Sequence, residues 1–264
     1  MDISVIIPTH KRDAYLVSAL KSVLSQTLCA KEILVIDDCM CSETQACVEK
    51  IAVCTAIPIY YYQNNIRVGP GASRNIGARK SKGEILAFLD DDDQWAEQYL
   101  EKATGILSDN NADFVLTAMV NVFDDGKHVP GKVPPTEFHY TEWVVRNPGG
   151  IGSNIVVKKD LWRAVGGYDE YLKGPEDKDF IIRLVKFGAK YFSFKERLVI
   201  HTEQDPTRIT KFINWYFLKC QLRFYLRYVK YLNLCEHFFV WKKLILYFIQ
   251  FLSGFPNGIR GKDR

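Results

Sequence analysis

Residues 83–95 read GEILAFLDDDDQW. A short apolar run behind a glycine, broken off by charge, has the pattern of a buried strand. Glu84 to Leu89 form that strand, and Asp90 to Asp93 follow directly at its carboxyl end. In open α/β sheets ligands bind outside the carboxyl ends of the strands. Four adjacent carboxylates repel one another, and a divalent cation offsets that repulsion; Mg²⁺ or Mn²⁺ prefers carboxylate and water oxygens and bridges to substrate phosphates. The run also reads as a solvated acidic turn. Its place at a strand end favours the metal.

Working outward, the same alternation recurs. Upstream, Ile3 to Ile7 is an apolar strand ended by Pro8, and Leu16, Leu20, Val23 and Leu24 fall at helical spacing. Glu32 to Ile36 is a second strand, ending in Asp37-Asp38, and Ser42 is a fair helix N-cap. Ile57 to Tyr62 reads as a third strand, followed by a turn-rich stretch, residues 64–71, and a helix over residues 72–80. Downstream, Trp95 to Leu107 reads as a helix, Phe114 to Val120 and Asn154 to Val157 as strands, and Pro175 to Phe187 as a helix. Residues 124–150 are rich in Gly and Pro and show no period, which fits a mobile loop or an acceptor-side insertion. Strands alternating with helices predict an α/β fold with a largely parallel sheet and right-handed crossovers.

The chain has 264 residues and a formal net charge of +4. Residues 211–264 hold ten Lys/Arg against two acids, a net +8, which leaves −4 for residues 1–210. An acidic body with a basic tail excludes a uniformly basic nucleic-acid binder. The tail interleaves aromatics such as Trp215, Phe224 and Trp241 with Lys219, Arg223 and Lys242. It reads as helical, and its longest strongly apolar run, Leu244 to Leu252, is shorter than the roughly 20 residues of a spanning helix. A helix lying on anionic lipid and a helical pair packed on the body both fit this pattern. The seven cysteines are odd in number and lack metal-ligand spacing, so reduced thiols in a cytoplasmic protein are expected. The start, MDISVIIPTH, has no basic stretch followed by an apolar one, so no secretory signal is recognised.

Each remaining candidate has two readings. Asp37-Asp38 suits either an Asx-type turn or an acceptor for a base N–H or ribose hydroxyl. Arg74 suits a nucleotide phosphate or base, or a surface ion pair. Its segment, residues 69–77, does not match the dinucleotide fingerprint, because no strand leads into it. Glu176-Asp177 is an acidic first helical turn or the source of a general base. His201 follows a short apolar strand, Leu198 to Ile200, and suits a phosphate or metal contact or a bland surface role.

Taken in order, ISVIIPTHKR, EILVIDDCMC, GASRNIGARKSKGEILAFLDDDDQW and GGYDEYLKGPEDKDF closely resemble the inverting family 2 glycosyltransferases of the GT-A fold, over residues 1–210. The resemblance implies a catalytic domain over 1–210 and a C-terminal helical extension over 211–264. It implies that Pro8 to His10 contact the nucleotide base, that Asp38 hydrogen-bonds it, and that Arg74 lies near base and phosphates. The family's DxD motif falls on Asp90-Asp91-Asp92, with Asp92 on Mn²⁺ or Mg²⁺ and Asp90 or Asp91 reaching the ribose or the metal. The run of four Asp leaves that register open by one residue. Asp177 is implied as the general base and His201 as a residue of a loop closing on the diphosphate and metal. Cys39-Met-Cys41 stands where the family has small or polar turn residues.

The implied function is transfer of a sugar from a nucleotide sugar, UDP foremost, to a hydroxyl of a saccharide. Family and tail together imply a lipid-linked acceptor, surface polysaccharide synthesis (O-antigen or capsule), and a peripheral place on the inner face of a bacterial membrane. A polyprenyl-phosphate sugar synthase uses the same donor site. A non-catalytic nucleotide-sugar binding module is a different class, and Asp92 and Asp177 argue against it. A binder of anionic polymers through the tail is disfavoured by the acidic body.

Overall fold

The computed structural model describes residues 1–39, 42–123, 125–202 and 213–253. In chain order its strands are β1 (Ile3–Thr9), β2 (Glu32–Asp37), β3 (Ile59–Gln63), β4 (Ile85–Phe88), β5 (Asp93–Trp95), β6 (Phe114–Val122), β7 (His128–Pro130), β8 (Ile155–Lys158) and β9 (Tyr191–Thr202). Its α-helices are α1 (Asp13–Leu24), α2 (Ser42–Ala52), α3 (Pro70–Lys80), α4 (Tyr99–Asp109), α5 (Tyr140–Val145), α6 (Lys159–Ala164), α7 (Glu176–Lys186), α8 (Trp215–Tyr228) and α9 (Leu234–Ser253).

The strands form one sheet in the order β3-β2-β1-β4-β8-β6-β9-β5, with β7 paired to β6. The expected parallel arrangement holds for β3-β2-β1-β4, and β9 runs parallel to β6. β8 runs antiparallel to both its neighbours, and β5 antiparallel to β9. The central strand β1 is buried on both faces, as its continuous apolar run requires. Val5 and Ile7 join α1 and α4 in one core, and Ile6 joins α3 and α7 in the other. The second core is tight at α3, where a Cβ on Gly77 would stand 2.5 Å from Ile6 Cγ2. That glycine lets helix and sheet approach, a packing role rather than a phosphate-binding one.

Three elements differ from the sequence reading. Trp95 belongs to β5 and not to a helix, because Asp93–Trp95 pair with Val199–His201; the helix starts at Tyr99. β9 spans twelve residues rather than three, and exposed Lys195-Glu196-Arg197 at its bulge hide it from a search for apolar runs. The stretch 124–150 carries β7 and α5, held by single anchors: Trp143 is fully buried and stacks on Phe138 at 5.3 Å. Anchors of that kind leave no period.

The tail is helical, as expected. α8 packs into the second core through Cys220, Phe224 and Tyr228. α9 packs on α8, with Tyr225 against Trp241 and Phe217 against Tyr247. Its outer side stays open: Phe238, Trp241, Ile245, Ile249 and Leu252 are exposed. Among the described residues no helix is long and apolar enough to cross a membrane. The boundary at 210/211 lies outside the described residues.

Candidate active site

The carboxyl ends of β1, β2 and β4 meet at one edge, and the sequence candidates gather there. Pro8 pairs with Ile36 inside the sheet. His10 Nδ1 lies 2.9 Å from the Asp38 carbonyl oxygen, which ties the β1 and β2 ends together. The Asp38 carboxylate accepts the backbone N–H groups of Val68 and Gly69, both at 2.7 Å, and Asn64 Nδ2 at 3.1 Å. It thus shapes the entry to α3, where Gly69 sits at φ +93°. Asp37 is capped by Tyr61 Oη at 2.6 Å and by Cys39 N at 2.9 Å. Met40 and Cys41 lie outside the described residues.

The four aspartates after β4 divide by direction. Asp91 turns back to β1, accepting Thr9 Oγ1 at 2.7 Å and Arg12 Nη1 at 3.1 Å. Burial pushes its carboxyl up to about 6, with Arg12 working against the rise. Asp90, Asp92 and Asp93 each offer an oxygen within 4.8 Å of the others, and Asp92 Oδ2 also lies 3.2 Å from Arg12 Nη1. Of the run of four, the three whose oxygens gather are therefore Asp90 and Asp92, an i, i+2 pair, with Asp93. Asp93 is fixed by Ser153 Oγ at 2.5 Å and by His201 Nδ1 at 2.9 Å, the cross-strand partner that the β5–β9 register supplies. His201 therefore meets the cluster through Asp93 and stands outside the group of three. Three hard oxygen donors this close suit Mg²⁺ or Mn²⁺.

Arg74 lies beneath this cluster. It is 2% exposed, pairs with Asp90, and reaches Asp177 Oδ1 at 3.3 Å. Its guanidinium lies 5.2 Å from the Tyr168 ring centre. A Cβ on Gly152 would fall 2.2 Å from Arg74 Nη2, so only glycine admits the arginine there. One buried cation thus joins the end of β4 to the first turn of α7. Arg74 Nε, Tyr168 Oη and Glu176 Oε2 are buried without a hydrogen-bond partner among the described residues, and the Arg74 Nη1–Asp177 Oδ1 ion pair lacks hydrogen-bond geometry. Buried polar atoms are normally satisfied, so this cluster fits a place where a polar ligand or water completes the bonding. Burial raises Asp177 above the usual carboxylate range; Arg74 opposes the rise and Asp90 adds to it. Glu176 is raised too, by burial first and then by the Asp177 charge.

The sequence reading passed over Arg12, Ser153, Gly152 and Tyr168. Arg12 carried a signal, a cation three residues past a strand end. The other three carried none, because they come from distant segments that only the fold brings in.

The model for "Glycosyl transferase family 2" matches residues 4–164. The chain belongs to glycosyltransferase family 2. An uncharacterized glycosyltransferase of Haemophilus influenzae is 31% identical over 187 residues, 70% of this chain and 62% of that protein. The poly(ribitol-phosphate) beta-N-acetylglucosaminyltransferase TarS of Staphylococcus aureus is 30% identical over 132 residues, 49% of this chain and 22% of that protein. The family 2 chain thus spans less than two thirds of the length of either. Among solved structures, S. aureus TarS 1–349 in complex with UDP-GlcNAc aligns over 95% of this chain and 73% of its own, with a TM-score of 0.71 at 21% identity. GalNAc-T7 with UDP, GalNAc and Mn²⁺ aligns over 86% of this chain and 48% of its own, at 0.67 and 19%. These likenesses confirm the GT-A α/β architecture. The family match ends at Ala164, short of α7, so it does not reach Asp177, which contacts Arg74.

Proposed function

We propose that this family 2 chain is an inverting transferase that moves a sugar from a UDP-sugar to a hydroxyl of a saccharide acceptor. The observation that carries the reading is Arg74, a buried cation bridging Asp90 and Asp177 among unsatisfied polar atoms. Residues 1–210 are the catalytic domain in this reading and 211–264 its extension.

The residues divide the work. The β1 end at Pro8 to His10, with Asp38 and Asp91 shaping it, borders the nucleotide base and ribose. Asp90, Asp92 and Asp93 hold Mn²⁺ or Mg²⁺, with His201 steadying Asp93. A bound divalent cation neutralises charge on the donor diphosphate. Arg74 lies beside the Asp90 end of this cluster and adds fixed positive charge where the leaving group becomes more negative. Asp177 takes the proton of the acceptor hydroxyl as its oxygen attacks C1. The bond from C1 to the diphosphate oxygen breaks, and one in-line displacement inverts the centre.

In the test, the chain is incubated with a panel of nucleotide sugars and Mn²⁺, and nucleoside diphosphate release is measured. The expected result is release from a UDP-sugar that falls at least tenfold in a chelator and returns with added Mn²⁺. Release from no member of the panel, or release indifferent to chelator, would sink the reading.

The acceptor is lipid-linked in this reading, of the kind used for O-antigen or capsule, and the chain sits peripherally on the cytoplasmic membrane face. The support is the outer side of α9, where exposed Phe238, Trp241, Ile245 and Leu252 lie one helical turn or two apart beside exposed Lys242. Aromatics with flanking cations suit the interface of an anionic bilayer. In vesicle flotation the chain is expected to rise with phosphatidylglycerol vesicles and stay behind with neutral ones, and Trp241→Glu with Ile245→Glu to abolish the rise. Staying behind with both lipids would remove the membrane from the proposal.

A further inference from the structure

We propose that Arg227, on α8 and beyond the family match, is a positioning residue for Asp177. The inference rests on the reading of Asp177 as the base. The segment from Tyr168 to Pro175 leads directly into the first turn of α7. α8 grips that segment along its length. Arg227 Nη2 donates to Asp169 Oδ2 at 2.5 Å. Tyr216 Oη and Cys220 Sγ both donate to the Tyr171 carbonyl, at 3.0 and 3.3 Å. Gly174, at φ +99°, lies against Phe217, whose ring carbon would stand 2.7 Å from a Cβ there. Beyond the base, Arg227 Nη1 donates to Asp179 Oδ1 at 2.5 Å.

One guanidinium thus ties Asp169 to Asp179, the two ends of the stretch that holds Glu176 and Asp177. A planar fork with two charge-assisted bonds fixes direction as well as distance. Asp179 is fully buried but has other donors, Tyr228 Oη at 2.8 Å and Arg183 Nε at 2.7 Å. Asp169 also keeps the Tyr171 N–H at 2.9 Å. Loss of Arg227 therefore leaves neither carboxylate bare, so the fold should survive while the segment between them loosens. Arg227 touches none of the residues assigned to the donor, so donor binding should be spared.

The experiment compares Arg227→Met and Arg227→Lys with the full chain. Turnover of the UDP-sugar that the wild type accepts, affinity for UDP in Mn²⁺, and amide hydrogen exchange are measured. In Arg227→Met turnover is expected to fall at least tenfold, UDP affinity to stay within twofold, and amides of residues 169–177 to exchange at least tenfold faster while those of β1 and β2 are unchanged. Arg227→Lys keeps one charge but not the fork, and should recover part of the turnover; it carries the test if the Met variant does not fold. Unchanged turnover overturns the proposal, as does UDP affinity falling in step with turnover or exchange rising across the whole chain. A wild type inactive on every nucleotide sugar would remove the activity reading alone. The exchange comparison would then still decide whether Arg227 holds the segment.

Discussion

Asp177→Asn is expected to lower turnover by about 10²–10⁴-fold, the usual worth of a positioned general base, with UDP affinity in Mn²⁺ nearly unchanged. The amide is isosteric with the carboxylate and cannot take the acceptor proton. Asp177 lies at the first turn of α7, away from the residues assigned to base and ribose, so the donor should still bind. The wild-type pH profile gives a second check. The base works only when ionised, so activity rises with pH through the Asp177 pKa. Burial raises that pKa, so the acidic limb of turnover should lie above the roughly 4 of an ordinary aspartate. Near wild-type turnover in Asp177→Asn, or an acidic limb at or below an ordinary aspartate, would remove the assignment.

Arg74→Met should cost both stability and turnover. Removing one member of a buried ion pair costs about 3–5 kcal/mol, and the partial exposure of Asp90 and Asp177 places this case near the low end. A drop in melting temperature measures that part. Loss of a fixed charge facing the leaving group should lower turnover by a further factor of about 10²–10³. The sign of the pH effect is set as well. Arg74 holds the Asp177 pKa down, so its loss should shift any residual acidic limb to higher pH. Arg74→Lys should recover little, because one ammonium cannot occupy both Nη positions that face Asp90 and Asp177. A Met variant as stable and active as the wild type would show that the bridge is incidental.

Much of the fold was legible in the sequence, and the reason is physical. β1, β2 and β4 are buried on both faces, so they appear as unbroken apolar runs, and each delivers its polar residues just past its end. That made Asp38 and Asp90 to Asp93 candidates from the sequence alone, while Arg74 and Asp177, on α3 and α7, drew their roles from the family resemblance. β9 was legible only at its core, since its bulge exposes three charged residues. Trp95 of β5 reads as the start of a helix because a three-residue strand has no period, and its pairing partner lies over a hundred residues away. The site was legible as a set of residue types and not as an arrangement. The arrangement of the aspartates, with Asp91 and Asp92 both paired to Arg12 and Asp90, Asp92 and Asp93 clustered, depends on the turn after β4. The tie between His201 and Asp93 depends on strand register.

The single arginine under the site also bears on recombination. Arg74 comes from the part of the chain matched by the family model, and Asp177 from the part after it. A chimera that joins residues 1–164 to the second half of a relative would bury the Arg74 guanidinium opposite whatever that relative supplies. Asp90 and Gly152 travel with Arg74 in the first half, so only a second half with a carboxylate at the Asp177 position would restore both ion pairs of that cation.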